Sequence, residues 1–428
     1  MNLFKPTLTA VAAVLALAAA APALAQANPL DELREEVRKL RAELEALKKD
    51  RAATPAVKPA DASGWGERIE QLELKSKDAV TLGDIGGGFR LPGSETSIRL
   101  YGYAEAHAIH DIKVWSGSDN FTDLTFQGAT GAKGRTKFTA ETSRFGFETS
   151  TPTAQGTFNT KLEMDFYAYS NGNGNRNRLR LRHAYGEYAG FLVGQTWSTF
   201  MDLDNLPETV DFNGPIGAPF SRRTMVRYTY GMPQDGMKFT VAMEDPEDQF
   251  GGGSANERMP QLVARFDKSF DWGAVNLRGL AHEKRSDTQT KRGYGFGVGG
   301  SYKLTDKDLL MGQYTQVDGD FDQLYGSNAY AIDATDGKIT FDRNRGLVLG
   351  YAKTFSDQLR GTLAFGMNKG RVEAAVDNRR LTQWHLNLIY SPIKNVELGG
   401  ELVLGERKTF AGDVAKMQRV DLMGRYSF

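Results

Sequence analysis

Arginine recurs at alternate positions in Arg176-Asn177-Arg178-Leu179-Arg180-Leu181-Arg182. On an extended strand, side chains two residues apart share a face. Arg178, Arg180 and Arg182 then form one column, with Leu179 and Leu181 opposite. Arg223 and Arg227 share a face beside Val226 and Tyr228, and Arg144 adjoins Phe145 and Phe147. Columns of guanidinium attract anions. At about 4 Å each charge is worth roughly 1 kcal/mol in water, and several-fold more where the dielectric falls. Acids crowd into 201–222, as Asp202, Asp204, Glu208 and Asp211, around a Phe212-Asn213-Gly214-Pro215 turn. Facing the arginines, they would set up a transverse field. The plainer alternative is a structural network of Arg and Asp.

This is binding chemistry, and nothing in the chain adds a reaction to it. Neither G-x-S-x-G nor H-E-x-x-H occurs, and Gly337-Lys338 lacks the phosphate-loop context. Gly295-Phe296-Gly297-Val298-Gly299-Gly300 fits G-x-G-x-x-G, but it lies within a strand pattern with no helix after it. Small residues facing a crowded neighbour explain it better. Asp318, Asp320 and Asp322 imitate a calcium loop, yet Gln323 stands where the turn glycine belongs. His107 and His110 differ by an odd number, so a strand points them apart. With no cysteine, thiolate metal sites and thiol nucleophiles are excluded. The expectation is no catalytic residue, no metal and no cofactor.

The elements that position the arginines have a period of two. Trp384, Leu386, Leu388 and Tyr390 alternate with Gln383, His385, Asn387 and Ile389. Phe158, Thr160, Leu162, Met164 and Phe166 alternate with Asn159, Lys161, Glu163, Asp165 and Tyr167. Segments of about ten residues, apolar on one face and polar on the other, are the signature of a transmembrane β-barrel. Sixteen strands can be placed from residue 98 to the end, the first at 98–114 and the second at 134–150. Every second connection is short, as at Ala189-Gly190; the others, such as 201–222 and 317–345, are long and polar. Short periplasmic turns and long outer loops follow the barrel rule. An arginine facing lipid at the midplane would cost roughly 2–4 kcal/mol, so the arginine columns belong inside. The terminal Tyr426-Ser427-Phe428 resembles the closing strand of bacterial outer-membrane barrels.

Ahead of the barrel, 1–25 reads as a secretory signal peptide: Lys5, an apolar run, then Ala23-Leu24-Ala25. In 26–50, Leu30, Leu33, Val37, Leu40, Leu44 and Leu47 are spaced as a heptad seam. That spacing predicts a short coiled-coil helix in the periplasm, and hence an oligomer. The stretch 51–97 reads as a linker and periplasmic segment, and 98–428 as the barrel. The chain has 428 residues, with 53 basic and 53 acidic groups. This balance gives no basic field for nucleic acid. A mean hydropathy of −0.45 excludes a helical membrane bundle.

Four stretches carry a family resemblance. They are Ser143-Arg144-Phe145-Gly146-Phe147-Glu148, Leu179-Arg180-Leu181-Arg182-His183-Ala184-Tyr185-Gly186, Leu192-Val193-Gly194-Gln195-Thr196-Trp197 and Met201-Asp202-Leu203-Asp204-Asn205-Leu206-Pro207. The chain resembles the DcaP-like family of outer-membrane porins. That resemblance implies a homotrimer in the bacterial outer membrane, contacting its lipid, with an N-terminal periplasmic coiled coil. It also implies passive diffusion of small anionic solutes such as dicarboxylates. In sixteen-stranded porins the third outer loop narrows the channel, and 201–222 occupies that place. The competing readings are a phosphate-selective porin, an outer-membrane hydrolase and an envelope tether.

Overall fold

The computed structural model describes residues 80–113, 134–168, 178–246, 257–320, 322–324, 330–371 and 378–428. The chain divides into two compact units, Met1–Thr81 with Leu91–Gly93, and Leu82–Arg90 with Ser94–Phe428. The second is a closed antiparallel barrel of sixteen wall strands.

In chain order they are β1 (Ser97–Lys113), β2 (Arg135–Thr139, then Arg144–Thr153), β3 (Gly156–Ala168) and β4 (Arg178–Tyr188). Next come β5 (Phe191–Trp197), β6 (Arg222–Met232), β7 (Met237–Glu244) and β8 (Gln261–Phe270). Then follow β9 (Gly273–Arg285), β10 (Thr290–Thr305), β11 (Asp308–Asp318) and β12 (Arg343–Ser356). Last are β13 (Leu359–Lys369), β14 (Asn378–Tyr390), β15 (Val396–Thr409) and β16 (Val414–Ser427). Each strand pairs with the next, and β16 closes on β1 through Leu422 opposite Ala108 and Asp421 opposite Ile109. Closure matters because lipid offers no partner for an unpaired N–H or C=O.

The wall is inside out relative to a water-soluble protein. Trp384 and Leu386 are 48% and 56% exposed on the outer face. Between and beside them, His385 and Asn387 are 0% and 2% exposed on the inner face. Aromatic side chains gather at the short-turn rim, where Phe270 and Trp272 stack at 4.7 Å, as barrels do at the membrane interface. The two-residue turn between β4 and β5 places Ala189 (φ 49°) and Gly190 (φ 84°) in the left-handed region. That geometry matches the twist of the flanking strands.

The fold class needs one correction. Among the described residues there is no α-helix, only a 3₁₀ turn at Pro233–Asp235. Over the described residues the fold is all-β, and the α-helical coiled coil expected beside the barrel is not among them. The expected seam Leu30, Leu33, Val37, Leu40, Leu44 and Leu47 lies outside the described residues. The location is corrected in the same way: it is the outer membrane, and among the described residues no periplasmic coiled coil accompanies it. Heptad spacing shows only that a helix would be amphipathic; a short helix needs tertiary contacts to persist.

Candidate channel constriction

One side of the lumen carries a cluster of arginines. Arg180 on β4 donates two hydrogen bonds to Asp165 on β3, at 2.9 and 2.6 Å. Arg182 donates to Glu163 and to Asp165, each at 2.8 Å. Arg144 on β2 lies 3.4 Å from Glu163. Arg222, at the start of β6, stands 4.4 Å over the Trp197 ring. It feels the charges of Arg182, Arg180 and Arg144. Among the described residues four guanidinium groups therefore stand around Glu163 and Asp165. Aromatic rings fill the gaps: Tyr103 beside Arg144, Tyr167 beside Arg180 and Trp197 beside Arg182.

A local irregularity creates part of this cluster. The β3–β4 register slips between Glu163, opposite His183, and Met164, opposite Leu181. This β-bulge turns both Arg182 and His183 inward, and both are buried. Beyond it the odd residues of β4, not the even ones, continue the inner face.

The segment joining β5 to β6 folds into the barrel and lies along the opposite wall. Glu244 anchors its start by accepting from Ser198 Oγ and Thr199 N, both at 2.7 Å. Asp202 accepts from Asn276 on β9 at 2.7 Å. The Asp202 carbonyl accepts from Gln313 on β11 at 3.0 Å. Asp204 accepts from Arg265 on β8 at 3.1 Å. Glu208 forms a paired contact with Arg360 on β13, both bonds at 2.8 Å. Glu401 on β15 accepts from Val210 N at 2.9 Å and Asp211 N at 3.0 Å. Gln383 on β14 accepts from Ile216 N at 2.8 Å.

Glycines make room for this seat. A Cβ on Gly346 would lie 2.0 Å from the Gly217 carbonyl oxygen, and one on Gly366 2.2 Å from that of Ile216. In the G-x-G-x-x-G stretch, Gly297 faces the Arg278 guanidinium and Gly299 faces the Asp202 carboxylate. These glycines are clearance for the loop and its ties. Gly366→Val is expected to push the loop about 1 Å into the lumen, since non-bonded atoms settle near 3.5–4.0 Å. Overpacking of this kind costs about 1–3 kcal/mol. Single-channel conductance of the variant would report the displacement; an unchanged conductance would show that the loop yields elsewhere.

Of the six arginines singled out in the sequence, Arg144, Arg180 and Arg182 come together. Arg223 does not join them. It is 1% exposed, 3.3 Å from Asp322 and 3.6 Å from Asp320, and donates to the Asp245 carbonyl at 2.9 Å. Arg227 is half-buried on the inner face, near Tyr185 and Glu187. Arg178 is exposed at the start of β4. The acids Asp202, Asp204 and Glu208 engage β8, β9 and β13, whereas Asp211 is buried near Arg419 and His385. Phe212 is the loop residue that meets the arginines. It lies 5.8 Å from Arg180, 6.0 Å from Arg182 and 5.6 Å from the Tyr167 ring.

Sequence reasoning passed over Glu163, Asp165, Arg222, Arg360 and Glu401 as participants. Glu163 and Asp165 stood on the polar face of their strand. Their pairing with Arg180 and Arg182 depends on a register set across 169–177, which alternation does not reveal.

The model of the DcaP outer membrane protein family matches residues 90–428. The crystal structure of the outer membrane channel DcaP of Acinetobacter baumannii is similar, with a TM-score of 0.72 and 29% identity, covering 82% of this chain and 100% of that one. An anion-selective porin from Comamonas acidovorans shares the fold at a TM-score of 0.53 and 16% identity, covering 78% of this chain and 100% of its own. OmpF of Salmonella typhi, in complex with daunomycin, has a TM-score of 0.53 and 13% identity, covering 78% and 98%. No curated protein matches the chain. With sixteen strands closed around an inward loop, and a family match over most of its length, the chain belongs to the DcaP family and is an outer-membrane porin for small solutes.

Proposed function

We propose that this porin prefers small anions, dicarboxylates among them, and works as a homotrimer. The observation that carries the reading is the imbalance in the cluster around Asp165: Arg144, Arg180, Arg182 and Arg222 against Glu163 and Asp165. The exposed acids of the inward loop are held against their own wall: Asp204 pairs with Arg265, which also meets Asp202 and Asp267, and Glu208 with Arg360, which also meets Glu397. The guanidinium cluster stands on the side of the lumen away from those ties.

The chemistry suits a carboxylate. The planar guanidinium fork donates to two carboxylate oxygens at once, and Arg180 already shows that geometry toward Asp165. A dicarboxylate offers two such groups and can engage neighbouring arginines together. The aromatic rings beside the arginines exclude water and lower the local dielectric, which strengthens each contact. Passage also requires that the hold be weak, and the carboxylates already present limit it. Conduction needs no covalent step. The homotrimer rests on the family resemblance.

The test is the zero-current potential of the purified protein in a planar bilayer under a tenfold potassium chloride gradient. The expected sign is that of chloride, with chloride passing at least about twice as readily as potassium. A potential of potassium sign would overturn the anion preference. Sedimentation in detergent checks the trimer, and a single-chain mass would overturn it.

A further inference from the structure

The outward face of β12 to β16 changes character at its long-loop end. Lower down it is apolar, with Leu349, Leu363 and Trp384 exposed. One pleat beyond Leu347 and Met367, which pair across β12 and β13, the register sets Arg345 opposite Lys369. Lys369 in turn lies opposite Arg380, and Arg380 opposite Lys408. Lys416 extends the row onto β16, opposite Glu406. Each of these residues shares strand parity with the exposed apolar side chains below it, so the row points away from the lumen. Five cations are thus aligned against one carboxylate. Glu406 accepts from Arg380 at 2.9 Å and lies 3.9 Å from Lys416. Arg345 donates to Gln316 at 3.2 Å. Lys369 is exposed, and neither it nor Lys408 has a hydrogen bond or ion pair among the described residues.

We propose that this row is a docking strip for the phosphate groups of outer-leaflet lipid. Three features converge. The row sits where the apolar band ends on the outer side, which is the depth of lipid headgroups. Its sign is complementary to phosphate, and clusters of four or more Lys and Arg beside a membrane segment bind anionic lipid. Neighbouring strands are about 4.8 Å apart, so two adjacent cations reach one phosphate, and a bisphosphorylated lipid spans several. The apolar side chains directly below would receive the acyl chains of the same lipid. No charge on the inner wall contributes, so the strip acts independently of solute selectivity.

The test uses the full-length protein in phosphatidylcholine vesicles, with and without bisphosphorylated lipid A. Lipid A is expected to raise the midpoint of thermal unfolding and to remain bound in native mass spectrometry. The triple variant Lys369→Gln, Arg380→Gln, Lys408→Gln is expected to weaken that binding more than about tenfold, with single-channel conductance unchanged. Arg380→Lys, which keeps the charge, is expected to keep the binding and so controls for folding. Equal binding by the triple variant and the unaltered protein would overturn the proposal. So would an equal stabilisation by inorganic phosphate alone, which would make the row a free-phosphate site. Loss of the oligomer with lipid binding intact would instead assign the row to a contact between protein chains, and would also overturn it.

Discussion

Replacing Glu401 with alanine is expected to produce the largest structural change of any single substitution in this channel. Its carboxylate is 3% exposed and has four partners: Val210 N, Asp211 N, His385 Nδ1 at 3.0 Å and Asn387 Nδ2 at 3.0 Å. Alanine would strand two loop amides and leave His385, itself fully buried, without its acceptor. Leaving a buried amide or imidazole without its hydrogen-bond partner costs about 1–3 kcal/mol each. The loop would also lose the tie at its middle, while Glu208 and Ile216 still hold it on either side. The measurement is single-channel recording together with thermal unfolding. The expected record shows added noise and partial closures, with a lower unfolding temperature. Glu401→Gln keeps the volume and one acceptor oxygen, and is expected to fall between the two. A quiet, full-conductance trace from the alanine variant would show that the loop does not depend on this anchor.

Neutralising Arg144, Arg180 and Arg182 together, each to glutamine, is expected to invert ion selectivity. The cluster would pass from four cations against two carboxylates to Arg222 alone against Glu163 and Asp165. At about 1 kcal/mol per charge at 4 Å in water, each removal is worth roughly fivefold in local anion concentration. The zero-current potential should therefore change sign, most clearly at low salt, where screening is weakest. The triple variant also removes the arginine partners of Asp165, which is 0% exposed, leaving it the Tyr167 N–H at 3.2 Å, so the variant's unfolding temperature should fall. Arg227→Gln separates the two effects. Arg227 has no hydrogen bond or ion pair among the described residues. Its loss should lower anion preference modestly with little change in stability. Unchanged selectivity in the triple variant would remove the cluster from the conduction path.

Much of the wall was legible in the sequence because its cause is local. A strand with lipid on one side and a polar lumen on the other must alternate. That alternation placed sixteen strands in the wall, the first at 98–114 against the observed Ser97–Lys113. The second strand, expected to be continuous over 134–150, is broken between Thr139 and Arg144, with both pieces paired to β1. Alternation says nothing of such a break. It also assigned Arg180 and Arg182 to one face, but it could not show that a bulge brings His183 inside as well.

The constriction was legible only as composition. A long acidic segment between β5 and β6 was visible, and its acids were set opposite the arginine column. In the structure Asp202, Asp204 and Glu208 tie the loop to β8, β9 and β13, and Phe212 meets the arginines. The reason is distance along the chain. Val210 and Glu401 are 191 residues apart and Ile216 and Gln383 are 167 apart, and no local pattern links them. The sequence by itself determined that this chain closes into a barrel with a polar lumen, since lipid on one side of each strand imposes the period of two. Only the tertiary structure decided which carboxylate meets which arginine and where the loop lies. Those choices depend on register and on backbone clearance at glycines such as Gly346 and Gly366, which exist only once the wall has closed.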